Sequence, residues 1–143
     1  MKMTAREYLK QLQNLDTAIN ENLHVLEGMR MNATGQGAIR YDSDRVQTSP
    51  QDRLCSDVCD IVELNEYIDE QIDRFTDLKE KIIKQIRGLQ AEQVLCDILF
   101  KTYVEYKTNR QVAAEIRKSH SHTFVLKKKA LKLFESQYMV YRT

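Results

Sequence analysis

Side chains that could bind a polyanion are concentrated between residues 110 and 129. Three consecutive lysines can neutralise phosphate groups, and two more basic residues precede them. These phosphate candidates are Arg110, Lys118, Lys127, Lys128 and Lys129. Between them stand side chains that can contact the edges of bases, namely His120, Ser121, His122 and Val125. The chemistry that these residue types offer is binding of a polyanion. The alternative is a solvated basic face with no partner.

The charge of the chain is divided unevenly along its length. The net charge is +1, yet the residues from Lys101 onward hold ten Lys or Arg and three Glu, a balance of about +7. The first 100 residues hold 12 basic and 18 acidic side chains, a balance of about −6. A nearly neutral protein with one basic end often has a polyanion as the partner of that end.

No set of residues has the spacing of a catalytic or cofactor site. The sequence has no phosphate-binding glycine loop, no nucleophile elbow and no HExxH zinc motif. Cys55 and Cys59 lie one helical turn apart, but no nearby pair of His or Cys completes a zinc site, so we expect buried structural cysteines. We therefore predict no metal, no cofactor and no enzymatic activity.

The elements that must position the basic residues are two short helices joined by a tight turn. We expect the first helix over Gln111 to Arg117 and a second helix that begins after Ser119 and continues towards Tyr138. Ser119 is the expected N-cap, because its hydroxyl can accept a hydrogen bond from an unpaired backbone N–H. The unit from Arg110 to Phe134 then forms a helix-turn-helix, whose second helix enters the major groove. A further helix, Gln90 to about Tyr106, is expected before it.

Upstream, the sequence predicts two long amphipathic helices. The first runs from about Thr4 to Ala33, with Thr4 and Glu7 as a capping box, and a polar loop over residues 34–51 follows it. The second begins after Pro50 and carries a heptad pattern that ends near Gly88. Its seam is Leu54, Val58, Ile61, Asn65, Ile68, Ile72, Phe75, Lys79, Ile82, Ile86 and Leu89.

These patterns predict an all-α protein with two domains. Four glycines and one proline are too few for the turns of an all-β fold. We expect a long antiparallel, coiled-coil-like hairpin over residues 1–89 and a three-helix helix-turn-helix domain over residues 90–143. Pairing of the heptad helices between chains, which would make a homo-oligomer, is the alternative to an intramolecular hairpin.

A resemblance to known proteins agrees with this organisation. Residues 111–131, QVAAEIRKSHSHTFVLKKKAL, resemble region 4 of sigma factors. The upstream stretches REYLKQLQNLDTAINENLHVLEGMR, DSDRVQTSP and VCDIVELNEYIDEQIDRFTDLKEKIIKQI resemble a family of small phage-encoded proteins. That family joins a helical hairpin to a sigma-region-4-like helix-turn-helix, and its members are usually described as phage transcriptional regulators, often of late genes. The residues that carry the match to region 4 are Ala113, Ile116, Ser119, Ala130 and Leu131.

The chain departs from the sigma pattern at the end that would contact DNA. Arg117 stands where glycine is usual, and a left-handed conformation there would cost about 1 kcal/mol, which favours a turn of another shape. Thr123 replaces an aliphatic core residue. His120, Ser121 and His122 lack the bidentate fork of arginine.

The function that the resemblance implies is that of a phage transcriptional regulator that binds double-stranded DNA and acts with host RNA polymerase. The alternative is a protein-interaction or assembly accessory that keeps the sigma-like fold without autonomous sequence-specific DNA binding. An odd count of three cysteines fits a reducing compartment, and no stretch approaches 18 consecutive apolar residues. We expect a cytoplasmic protein with no membrane partner, in the host bacterial cytoplasm if it is phage-encoded.

Overall fold

A computed structural model describes the chain over residues 3–33 and 50–139, with side chains left undescribed over 50–56. Within those ranges about 87% of the residues are helical and none lies in a strand. The predicted all-α class is therefore confirmed. Most of the predicted loop, residues 34–49, lies outside the described ranges.

Two long helices form the first part of the fold. Helix α1 spans Ala5–Ala33, and helix α2 spans Pro50–Arg87. The Thr4 hydroxyl accepts a hydrogen bond from the Glu7 backbone N–H at 3.2 Å, as the predicted cap requires. Helix α2 ends before Gly88, where an added Cβ would lie 3.0 Å from the Tyr138 hydroxyl and 3.2 Å from the Lys84 carbonyl oxygen. A larger residue at position 88 would therefore require these neighbours to shift by a few tenths of an ångström.

The remaining helices are shorter. Helix α3 spans Gln93–Leu99 and continues into a single π-helical turn over Phe100–Val104, followed by α4, Asn109–Ile116, and α5, His120–Tyr138. The expectation of one helix from Gln90 to Tyr106 is wrong at both ends. A π turn holds more residues than an α-helical turn. In this turn the adjacent residues Tyr103 and Val104 are both buried.

The helices divide into two compact units, and the first contains the candidate site. This unit joins the part of α1 up to Leu15 to the chain from Phe75 onward, so the boundary expected between residues 89 and 90 falls inside it. Phe134 of α5 is fully buried in its core, with ring centroids 6.1 Å from Tyr8 and 4.9 Å from Tyr138. Other members of the core are Leu9, Leu12, Ile82, Ile86, Leu95 and Leu99.

The second unit runs from Asp16 to Arg74, and fewer of its described side chains are buried than in the first unit. Ile19, Leu26 and Ile68 are buried, and the Asn22 amide donates a hydrogen bond to the Gln71 side-chain oxygen at 2.9 Å. The predicted seam is only partly buried here.

Val58 and Ile72 belong to the predicted seam but are 48% and 40% exposed. In the single chain these two positions of the predicted seam are therefore not buried. The buried positions of α2 in this unit, Ile68 and Gln71, are three residues apart and share one helix face. At roughly 100° per residue, Ile72 and Val58 lie on the side of Ile68 that is away from Gln71, so the heptad pattern extends past one edge of the buried face.

Candidate nucleic-acid interface

The turn between α4 and α5 has the left-handed geometry that the sequence disfavoured. Arg117 has φ 59° and ψ 44°, so the expectation of another turn shape is wrong. Two hydrogen bonds close the end of α4: the Arg117 N–H donates to the Ala114 carbonyl at 3.3 Å, and the Lys118 N–H donates to the Ala113 carbonyl at 3.0 Å. This pair of bonds offsets the roughly 1 kcal/mol cost of a non-glycine residue in that conformation.

Side-chain caps fix the start of both helices. Thr108 and Gln111 form a reciprocal capping box at the start of α4. The Ser119 hydroxyl accepts a hydrogen bond from the His122 N–H at 3.0 Å, which confirms the predicted N-cap of α5. The Asn109 amide also donates to the His120 carbonyl at 3.3 Å, so the beginnings of the two helices are joined directly.

Thr123 lies in the first turn of α5. Its side chain is fully buried, and its hydroxyl donates to the Ser119 carbonyl at 2.8 Å. A buried hydroxyl with a hydrogen-bond partner avoids the penalty of an unpaired polar group. Threonine can therefore occupy the position where the sigma pattern has an aliphatic residue.

The four base-edge candidates are all exposed on the first two turns of α5. Ser121, Val125 and Lys128 follow one another at spacings of four and three residues, so they lie on the same helix face. His122 and Lys129 are seven residues apart and lie beside that face. The structure thus brings His120, Ser121, His122 and Val125 together over about 8 Å of helix.

The five phosphate candidates are not equivalent. Arg110, Lys118, Lys128 and Lys129 are exposed, and the Lys128 ammonium lies 5.4 Å from the centre of the Phe124 ring. Lys127 is half-buried, with its ammonium 5.8 Å from the centre of the Tyr103 ring. Burial lowers the pKa of Lys127, and the nearby charges of Arg6 and Lys10 lower that pKa further.

Sequence reasoning missed the contribution of α1 to this basic surface. Arg6 joins α5 side chains in lining a shallow groove of about 120 Å³. The other lining residues are Phe124, Lys127, Lys128 and Leu131. One weak sequence signal existed: Arg6 and Lys10 are basic residues four apart at the start of an otherwise acidic half of the chain.

Two carboxylates near the C-terminal helices, those of Glu105 and Glu115, pair with lysines outside α5. Glu115 makes ion pairs with Lys101 at 2.8 Å and with Lys107 at 2.7 Å, and Glu105 lies 3.3 Å from Lys107. Hydrogen bonds from Lys101 and Lys107 lower the pKa of Glu115. Over the described ranges, no ion pair joins a carboxylate to Lys118 or to any of the three consecutive lysines.

Residue types that bind metal ions do not cluster in the part of the chain that the structure describes. No three His, Cys, Asp or Glu side chains come together there. Cys59 is exposed, so the expectation of a buried structural cysteine is wrong at that position, and the Cys55 side chain lies outside the described residues. No helix in the same ranges is both long enough and apolar enough to cross a bilayer.

Comparison with known proteins gave no match: no protein-family model, no curated protein and no solved structure matches this chain.

Proposed function

We propose that this protein is a transcriptional regulator that binds double-stranded DNA through α4 and α5. The single observation that carries the proposal is the outer face of α5, where exposed cations lie beside exposed polar side chains with no paired carboxylate in the described ranges. Glutamate or aspartate at i±3 or i±4 would stabilise a solvated basic face of a helix by pairing with its lysines. On α5, from His120 to Leu133, no residue is acidic.

The geometry of the turn supports a helix-turn-helix of the sigma region 4 kind. Such a unit places the N-terminal residues of its second helix against base edges. A major groove about 12 Å wide admits one helix. His120, Ser121, His122 and Val125 would then face the bases, while Arg110, Lys118, Lys128 and Lys129 would contact phosphates on either side.

The proposal extends to the hairpin that would carry this unit. The Tyr8 hydroxyl donates to the Gln85 side-chain oxygen at 2.8 Å, and Asn22 is bonded to Gln71. The first of these bonds joins α1 to α2 within the first unit, and the second joins α1 to α2 within the second unit. Control of late phage genes together with host RNA polymerase is the biological role that the sequence resemblance adds.

Salt-dependent binding to duplex DNA tests the proposal. Fluorescence anisotropy of a labelled duplex should show affinity that falls with salt, with a log–log slope near −0.9 for each phosphate contacted. The double variant K128Q/K129Q should weaken binding to every sequence and reduce the steepness of the slope by about 1.8.

The matched control for that variant is K81Q/K84Q, which removes the same charge from exposed positions of α2. It should leave both affinity and slope close to those of the wild type. Absence of salt-dependent binding by the wild-type protein, or equal effects of the two double variants, would contradict the DNA-binding function.

The second candidate function is that of a protein-interaction or assembly accessory. It is favoured by the apolar side chains that the second unit exposes, which a partner protein or a second copy of the heptad helices could cover. These residues are Leu23, Val25, Met31, Val58, Val62, Tyr67 and Ile72. A pull-down from infected host cells, with RNA polymerase and DNA scored separately, distinguishes the two functions. Capture of polymerase without DNA would favour the accessory.

A further inference from the structure

We propose that Arg6 and Lys10 of α1, together with Lys127 of α5, form a phosphate-binding site. This site depends on the proposed function, because we assign the phosphate to the backbone of the bound duplex. In this arrangement α1 holds DNA as well as α5, and the footprint of the protein is wider than a helix-turn-helix alone would give.

The first argument is the gathering of like charges. Arg6 and Lys127 line one groove, and Lys10 shares a face of α1 with Arg6 because it stands four residues further along the helix. The described ranges contain no carboxylate paired with any of the three cations. Like charges at close range repel each other, and the repulsion grows as the groups leave water. Since Lys127 is half-buried, a cluster of this kind is stabilised most by an anion that neutralises it.

The second argument is the shape of the surface. The groove lined by Arg6, Phe124, Lys127, Lys128 and Leu131 holds about 120 Å³. That volume is several times the roughly 30 Å³ that a water molecule occupies in the liquid, so the groove has room for a phosphoryl group. Arginine offers a planar fork of donors that matches phosphate oxygens, and the lysines add point charges beside it.

The third argument is position. Lys128 lines this groove and also belongs to the exposed face of α5 that carries Ser121 and Val125. A phosphate in the groove would therefore lie at the edge of the proposed DNA-reading face. Contacts to phosphates beside the major groove orient a recognition helix without reading sequence.

The test is the salt dependence of the variant R6Q/K10Q, in which both changed residues are exposed. Loss of two phosphate contacts should reduce the steepness of the log–log slope by about 1.8. Between about 50 and 200 mM salt the wild type should then lose about twelvefold more affinity than this variant. Equal slopes for R6Q/K10Q and the control K81Q/K84Q would overturn the site while leaving the proposed function in place.

A second measurement applies if the wild type does not bind duplex DNA, which would refute the proposed function. Inorganic tripolyphosphate is then titrated into the full chain, and amide resonances are followed by NMR. Saturable shifts at Arg6, Lys10 and Lys127 that vanish in R6Q/K10Q would support a site for a free phosphate. Absence of saturable shifts in the wild type would overturn the site altogether.

Discussion

The substitution of Phe134 by alanine tests how α5 is held in the first unit. The Phe134 ring is fully buried between Tyr8 of α1 and Tyr138 of α5. Removing it deletes a large apolar side chain and leaves a cavity, because the surrounding helices relax only in part. Phe→Ala changes at such sites cost about 3–5 kcal/mol. For a protein of this length we expect the midpoint of thermal unfolding to fall by roughly 10–20 °C.

The chain offers a matched control ten residues earlier on the same helix. Phe124 is 49% exposed, so F124A removes the same atoms from a site that water already reaches. We expect F124A to change the free energy of unfolding by about 0.5 kcal/mol or less. Circular dichroism at a helical wavelength during heating, with both variants and the wild type at equal concentration, measures the difference.

The reasoning fails if the two phenylalanine variants unfold at the same temperature. It also fails if F134A unfolds within about 3 °C of the wild type, because a fully buried ring cannot be removed at so small a cost. Either result would mean that α5 does not pack against α1 through Phe134. The placement of Arg6 beside Lys127 would then lose its support.

Two further predictions concern the turn and the ion pairs. R117G should raise the free energy of unfolding by about 0.5 kcal/mol, because the relief of left-handed strain exceeds the extra conformational entropy that glycine gives the unfolded chain. Urea titration measures this difference, and a lower free energy of unfolding in R117G would contradict the prediction. The folded-state pKa of Glu115 is lowered, so its ion pairs stabilise the fold above the ordinary carboxyl pKa of 4.5 and are lost as pH falls through the lowered pKa. E115Q should therefore be less stable than the wild type near about pH 7 and equal to it near about pH 2, and a constant difference in thermal midpoint across that range would refute the assignment.

Much of the local structure could be predicted from the sequence because its causes are local. The cap at Ser119, the end of α2 at Gly88 and the extent of α1 each depend on residues within one or two turns. The left-handed turn at Arg117 was missed for the opposite reason. Its intrinsic cost is visible in the sequence, whereas the two hydrogen bonds that offset it exist only once α4 has formed.

The burial of α2 was harder to predict because it depends on which elements cover the helix. A heptad pattern shows where apolar residues fall, and it places Ile68 and Ile72 on the same seam. In the second unit, Ile68 is buried, whereas Ile72 is 40% exposed. The π turn after α3 is a similar case, since no local signal in FKTYV distinguishes a π turn from ordinary α-helix.

The candidate site shows the same division between local and long-range causes. All nine predicted contact residues lie within twenty positions of one another, so composition alone could find them. Arg6 and Lys10 are at least one hundred residues away from them in sequence, and packing around Phe134 and Tyr8 brings α1 against α5. Packing in the apolar core therefore decides which cations lie beside α5 on the surface, and it also stabilises the unit. A substitution that loosens this core should weaken the proposed DNA binding through loss of the α1 cations, even though it removes no charged residue.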